Sequence, residues 1–175
     1  MTKTSPGSLT LWSFWATQRR VYLPRNSNGW WDFHAGRWHP GGQWLDLAVT
    51  LESIPLFVRG GAVLPLARGA MRATPQAEAA RELALFPAPD EGTHQSFIYD
   101  DAGDNADALA GNHCLTTLTL SRTNGQLALD IKHEGAWPFP FADLTLALPA
   151  TAQEALLYRG RRVGHGDMVP MESRA

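Results

Sequence analysis

The chain has 175 residues, 44% hydrophobic and 18% charged, with a formal net charge of −2. That fits one globular domain or two small ones and gives no broad electrostatic pull toward nucleic acid or an anionic membrane. No apolar run approaches the ~20 residues of a membrane helix, and the single cysteine, Cys114, excludes an internal disulfide and a CxxC metal site.

Residues 1–8 are polar, contain Pro6 and Gly7, and are expected to be disordered. The N-terminus lacks a continuous apolar core and a small-residue cleavage site, so no signal peptide is expected. With one cysteine, that favours a cytoplasmic location. Leu9, Leu11, Trp12, Phe14 and Trp15 follow as a short apolar stretch. Val21 to Leu23 reads as a strand stopped by Pro24, and Arg25 to Gly29 has the Asn and Gly of a tight reversal. Trp30 to Phe33 is the returning strand. Gly41-Gly42 is a second turn, and Trp44 to Val49 alternates with Leu45, Leu47 and Val49 on one face. Ile54 to Arg59 and Ala62 to Leu66 are two buried-type runs around Gly60-Gly61. Thr74-Pro75 carries a helix-start signal, for one or two helical turns or a plain linker. Leu83 to Phe86 is a strand, Pro87 to His94 a loop, and a domain boundary is placed near residue 88.

The second half reads as β throughout. Phe97 and Tyr99 alternate, and Leu118 and Leu120 share a face. Asn124-Gly125 lies between two alternating runs, a strong hairpin signal. Leu127, Leu129 and Ile131 then point one way, and Leu144, Leu146 and Leu148 repeat the pattern. Leu156 to Tyr158 and Arg161 to Val163 flank Gly160 as a last hairpin, and Gly164 to Ala175 reads as a frayed tail. The fold class is all-β: two small antiparallel β-sandwich domains in tandem, residues 1–88 and 89–175.

Val21 to Leu66 also carries a resemblance. Val21-Tyr22-Leu23-Pro24, Trp30-Trp31-Asp32-Phe33, Gly36, Gly41-Gly42, and Ile54-Pro55-Leu56-Phe57-Val58-Arg59 followed by Gly61 and Pro65 occur in the order seen after the catalytic barrel of family 31 glycoside hydrolases. That family includes α-glucosidases and α-xylosidases. A weaker match follows at Leu83 to Pro87 and Phe97 to Gly103, where Asp100-Asp101-Ala102 departs from the family's Glu-Asp-Asp-Gly. The resemblance implies the proximal and distal C-terminal β-domains of such an enzyme, which buttress the barrel. It carries over no catalytic residue, because the two carboxylates that glycoside hydrolysis needs sit in the family's barrel.

The candidate sites are few. Asp100, Asp101, Asp104 and Asp107 form an acidic run that suits a hard cation or, more simply, a solvated turn; no metal site is expected there. The six histidines show no metal-ligand spacing, although His34 and His39 share a loop. Trp31, Trp38 and Trp44 are candidates for carbohydrate contact, because flat rings stack on sugar faces. Trp30 and Trp31 must face opposite ways in a strand, so at least one belongs to the core. Asp32 reads as a turn acceptor and Glu52 as a loop residue. No cofactor is expected. The expected role is a non-catalytic accessory module whose partner is a glycosidase barrel, as a piece of a larger enzyme or a short reading frame. Without the barrel, self-association through the first domain is expected. A stand-alone carbohydrate-binding module is the alternative, and a small enzyme of unrelated mechanism is a third reading.

Overall fold

A computed structural model describes residues 17–67, 80–103, 110–139, 143–152 and 154–170. The expected helical turn after Thr74 falls mostly outside the described residues, but Ala80 and Arg81 at its end are in a strand. Among the described residues the chain is all-β with no α-helix.

The first strands are β1 (Gln18–Leu23), β2 (Trp30–Asp32), β3 (Arg37–His39), β4 (Gln43–Ala48) and β5 (Phe57–Arg59). They make a two-stranded ribbon, β1–β4, and a three-stranded sheet ordered β3-β2-β5. Next come β6 (Val63–Ala67), β7 (Ala80–Leu85), β8 (Gly92–Asp100), β9 (Cys114–Thr123) and β10 (Gln126–Glu134). The last are β11 (Asp143–Ala147), β12 (Ala155–Tyr158), β13 (Arg161–Val163) and β14 (Met168–Pro170). These form a four-stranded sheet, β14-β11-β7-β6, and a five-stranded sheet, β13-β12-β10-β9-β8.

The four-stranded sheet is a middle layer with a core on each face. Strand alternation separates the two. Leu83 and Leu85 of β7 and Val63 of β6 join Leu118, Leu120, Leu127, Leu129, Leu144, Leu146 and Leu156 in the larger core. Ala84 and Phe86 face the other way and meet Trp31 and Val58, with Leu64 and Leu66 of β6 packed alongside. The Leu83 to Phe86 run is apolar at consecutive positions because both faces of β7 are covered.

This layering bears on the expected boundary at residue 88. The middle sheet takes β6 and β7 from before that residue and β11 and β14 from after it, so a cut there divides the sheet. Two pairings are also parallel, β7 with β11 and β10 with β12, where the sequence suggested antiparallel neighbours throughout. The expected frayed tail is corrected as well. Met168 to Pro170 pairs with β11, and Val169 is buried. A three-residue strand with one inward apolar side chain gives little periodic signal.

Both hairpins expected in the second half form. Asn124 and Gly125 take positive φ of 50° and 72° between β9 and β10, and Arg159 and Gly160 take 50° and 73° between β12 and β13. Such left-handed pairs match the twist of a two-residue hairpin.

Candidate functional site

The aromatic motif sits where β2 packs against the middle sheet, and its tryptophans divide by strand alternation. Trp31 is 7% exposed and lies in the smaller core, with its indole N–H donating to the Pro87 carbonyl at 2.8 Å. Its ring is therefore withdrawn from any sugar, and the sequence-based assignment of Trp31 to carbohydrate contact is corrected. Trp30 faces away and donates to the Pro24 carbonyl at 2.8 Å, holding the end of β1.

Trp38 of β3 is 36% exposed, but its indole is laid on the Asn28–Gly29 turn and donates to the Asn28 carbonyl at 3.0 Å. Gly29 has a φ of +64°, and any Cβ there would collide with the Trp38 ring. The Asn-Gly turn and the tryptophan thus require each other. Trp44 is the open ring, 57% exposed on β4. It packs beside its cross-strand neighbour Tyr22 at 5.1 Å, and the Arg20 guanidinium lies over it at 5.2 Å. Arg20 also reaches Asp46 at 3.9 Å. This face of the ribbon is an aromatic patch edged by one ion pair.

The acidic residues of this region serve the backbone. Asp32 Oδ1 accepts from the His34 and Ala35 amides at 3.0 and 2.9 Å, closing the β2–β3 turn as the sequence suggested. Glu52 lies in an exposed turn. The histidines of the same loop take separate partners: His34 Nε2 lies 3.1 Å from the Ile54 carbonyl, and His39 stands edge-on to Phe57.

The acidic run is only partly described. Asp101 Oδ1 accepts from the Gly103 amide at 2.7 Å, Asp100 ends β8, and Asp104 and Asp107 lie outside the described residues. Among the described residues no group of three His, Cys, Asp or Glu is placed to hold a metal ion. Tyr99 stacks on His113 at 5.5 Å. Although 56% exposed, its phenol is pushed above its ordinary range by desolvation against the sheet, then by its hydrogen bond to Asp101 and that carboxylate's charge.

A latch that sequence reasoning missed joins the layers. Arg122 of β9 donates from Nη1 to the Ala88 and Pro89 carbonyls at 2.6 and 3.0 Å. Its Nη2 meets Glu154 Oε1 at 2.6 Å. With Trp31 on Pro87, three consecutive carbonyls after β7 are gripped by side chains from both flanking sheets. Thr151 adds a hydroxyl bond to the Gly36 carbonyl. No local pattern marks Arg122, because all its acceptors are distant in sequence.

Residues 7–64, which end within β6, match the model described as the glycosyl hydrolase family 31 C-terminal domain. Over these residues the chain is similar to a family 31 C-terminal domain. An α-xylosidase of Saccharolobus solfataricus is 33% identical over 116 residues, 66% of this chain and 15% of the relative. Human neutral α-glucosidase AB is 38% identical over 87 residues, 48% of this chain and 9% of the relative. Among solved structures, the family 31 α-xylosidase of Xanthomonas citri superposes with a TM-score of 0.60 at 24% identity, over 92% of this chain and 18% of that one. The likeness in fold thus reaches well past the segment that the family model matches. The chain spans less than a fifth of each of these proteins.

Proposed function

We propose that this chain is a non-catalytic accessory module that packs against the catalytic barrel of a family 31 α-glucosidase-like enzyme. The observation that carries the reading is the match of residues 7–64 to the family's C-terminal domain. Two features of the site support it. Asp32 is occupied by a turn and Asp46 faces a solvent-exposed arginine, so neither is arranged as an acid or a nucleophile. The Tyr22–Trp44 patch is the kind of apolar surface that a neighbouring domain covers. We place the division between the two units near residue 62, after β5, because β6 already belongs to the middle sheet.

The test is an assay on an aryl α-glucoside. The purified chain alone gives no turnover above a denatured control. Added to a family 31 barrel lacking its own C-terminal domains, it raises that protein's thermal midpoint. Activity that co-purifies with the isolated chain overturns the reading.

The second reading, a stand-alone carbohydrate-binding module, rests on one observation, the open ring of Trp44 beside Tyr22. Arg20 covers part of that ring, and Trp31 and Trp38 are engaged within the protein. Glycan binding through this face is therefore expected to be weak. A maltose titration followed by tryptophan fluorescence decides it: saturation in the micromolar range, lost in Trp44→Ala, favours the second reading.

A further inference from the structure

Thr50 to Leu56 joins the ribbon to β5, and its backbone is tied at both ends. The Val49 amide donates to the Thr17 carbonyl at 2.9 Å, which carries the ribbon pairing up to the start of the loop. The Thr50 amide donates to Ser53 Oγ at 2.7 Å, the Glu52 amide donates to Thr50 Oγ1 at 3.3 Å, and the Ser53 amide returns to the Thr50 carbonyl at 3.3 Å. At the far end the Phe33 amide donates to the Leu56 carbonyl at 2.9 Å, and His34 Nε2 lies 3.1 Å from the Ile54 carbonyl. Pro55, between these two carbonyls, has its φ fixed by its ring.

This tied loop turns its largest side chains to solvent. Leu51 is 83% exposed, Ile54 is 77% exposed, and Leu56 is exposed as well. Leu51 stands in the middle of the Thr50–Ser53 turn, a place where polar residues and Gly dominate. The bonds that close this turn come from Thr50, Glu52 and Ser53, so its geometry does not call for a leucine. Leaving bare aliphatic groups in water is unfavourable, and a partner that covered them would recover that burial. A loop that is already ordered loses little further entropy when it docks.

The position of the loop says what covers it. Among the described residues nine large apolar side chains are exposed, and six of them, Tyr22, Trp38, Trp44, Leu51, Ile54 and Leu56, fall within the segment that matches the family 31 C-terminal domain. The bare surface is thus concentrated in the part of the chain shared with much longer proteins, of which this chain spans less than a fifth. The loop also continues directly from the ribbon that carries Tyr22 and Trp44.

We infer that Leu51 and Ile54, held out on the Thr50–Leu56 loop, are contact residues for the catalytic barrel of a family 31 enzyme, an inference that rests on the buttress reading above. The ribbon supplies aromatic anchors and the loop supplies aliphatic ones, so the barrel surface they meet is apolar. Such anchors carry most of the energy of an interface when they fill desolvated pockets.

Calorimetric titration of the full chain into a family 31 barrel stripped of its own C-terminal domains tests it, with circular dichroism to show that the barrel is folded. The parent chain binds saturably. Leu51→Ser and Ile54→Ser each weaken binding about tenfold, the loss of one buried aliphatic side chain. Phe97→Ser, which removes an exposed ring from the distal sandwich, leaves affinity unchanged. A urea midpoint within error of the parent shows that each variant is folded. Saturable binding by the parent with no loss in Leu51→Ser and Ile54→Ser, or equal weakening by Phe97→Ser, overturns the inference and leaves the buttress reading standing. Absence of binding by the parent overturns both. Loss of self-association in light scattering, with barrel binding intact, assigns the loop to a second copy of this chain and overturns the inference as well.

Discussion

Arg122→Ala removes the latch between the layers. In the folded protein the side chain makes three charge-assisted contacts, to the Ala88 and Pro89 carbonyls and to Glu154. The two side chains of the pair are 20% and 18% exposed, so solvent replaces little of what is lost. Breaking a buried pair by removing one partner costs about 3–5 kcal/mol, and the residual exposure pulls the value to the lower end, about 3 kcal/mol. For a chain of this size that is a fall in Tm of roughly 6–12 °C. Arg122→Lys recovers little, because a point charge cannot reach two carbonyls and a carboxylate together. Glu154→Ala alone costs less, and the double variant should show a coupling of about 1–2 kcal/mol. Urea unfolding followed by tryptophan emission is the assay, since Trp31 holds the neighbouring Pro87 carbonyl. A change below about 0.5 kcal/mol for Arg122→Ala, the range of an ordinary surface substitution, refutes the reasoning.

Three further outcomes are expected. Gly29→Ala, at a φ of +64° under the Trp38 ring, costs about 2 kcal/mol in the same urea experiment. Tyr99 keeps its proton above the ordinary 10.0 of tyrosine. Its contribution to stability is therefore complete below that pH and is lost as pH rises through the raised value; alkaline difference absorbance at the phenolate band reads it, and Asp101→Asn moves the titration back down. The full chain self-associates in light scattering, and the pair Tyr22→Ser and Trp44→Ser restores a monomer; an unchanged mass in the variant shows that another surface is responsible.

Sequence showed best what is local. Asn124-Gly125 announced its hairpin because only a few residue types tolerate two consecutive left-handed positions. The alternation of Leu127, Leu129 and Ile131 gave the inward face of β10. What depends on distant partners was hidden. Alternation says that Trp30 and Trp31 face opposite ways but not which is covered, since that is settled by Phe86 and Val58. The Leu83 to Phe86 run reads as a buried strand, yet nothing in it tells that its two faces serve two cores. Phe97 and Tyr99 alternate as core residues would, but β8 is an edge strand and both rings stand outside, 63% and 56% exposed. In the candidate site, Asp32 was legible because the amides that donate to it lie two and three residues away. Arg122 was not, because its partners lie more than thirty residues from it.

The parallel pairing of β7 with β11 has a consequence for synthesis order. Leu83 lies opposite Leu146, so β7 leaves the ribosome long before its neighbour exists. The β8–β9 and β9–β10 hairpins need only nearby chain and can close at once. The middle sheet must wait, with the apolar run of β7 exposed on one edge, until β11 and then Met168 to Pro170 arrive. Nascent chains that stall before β14 therefore present an unfinished sheet edge, the surface on which chaperones and neighbouring nascent chains compete.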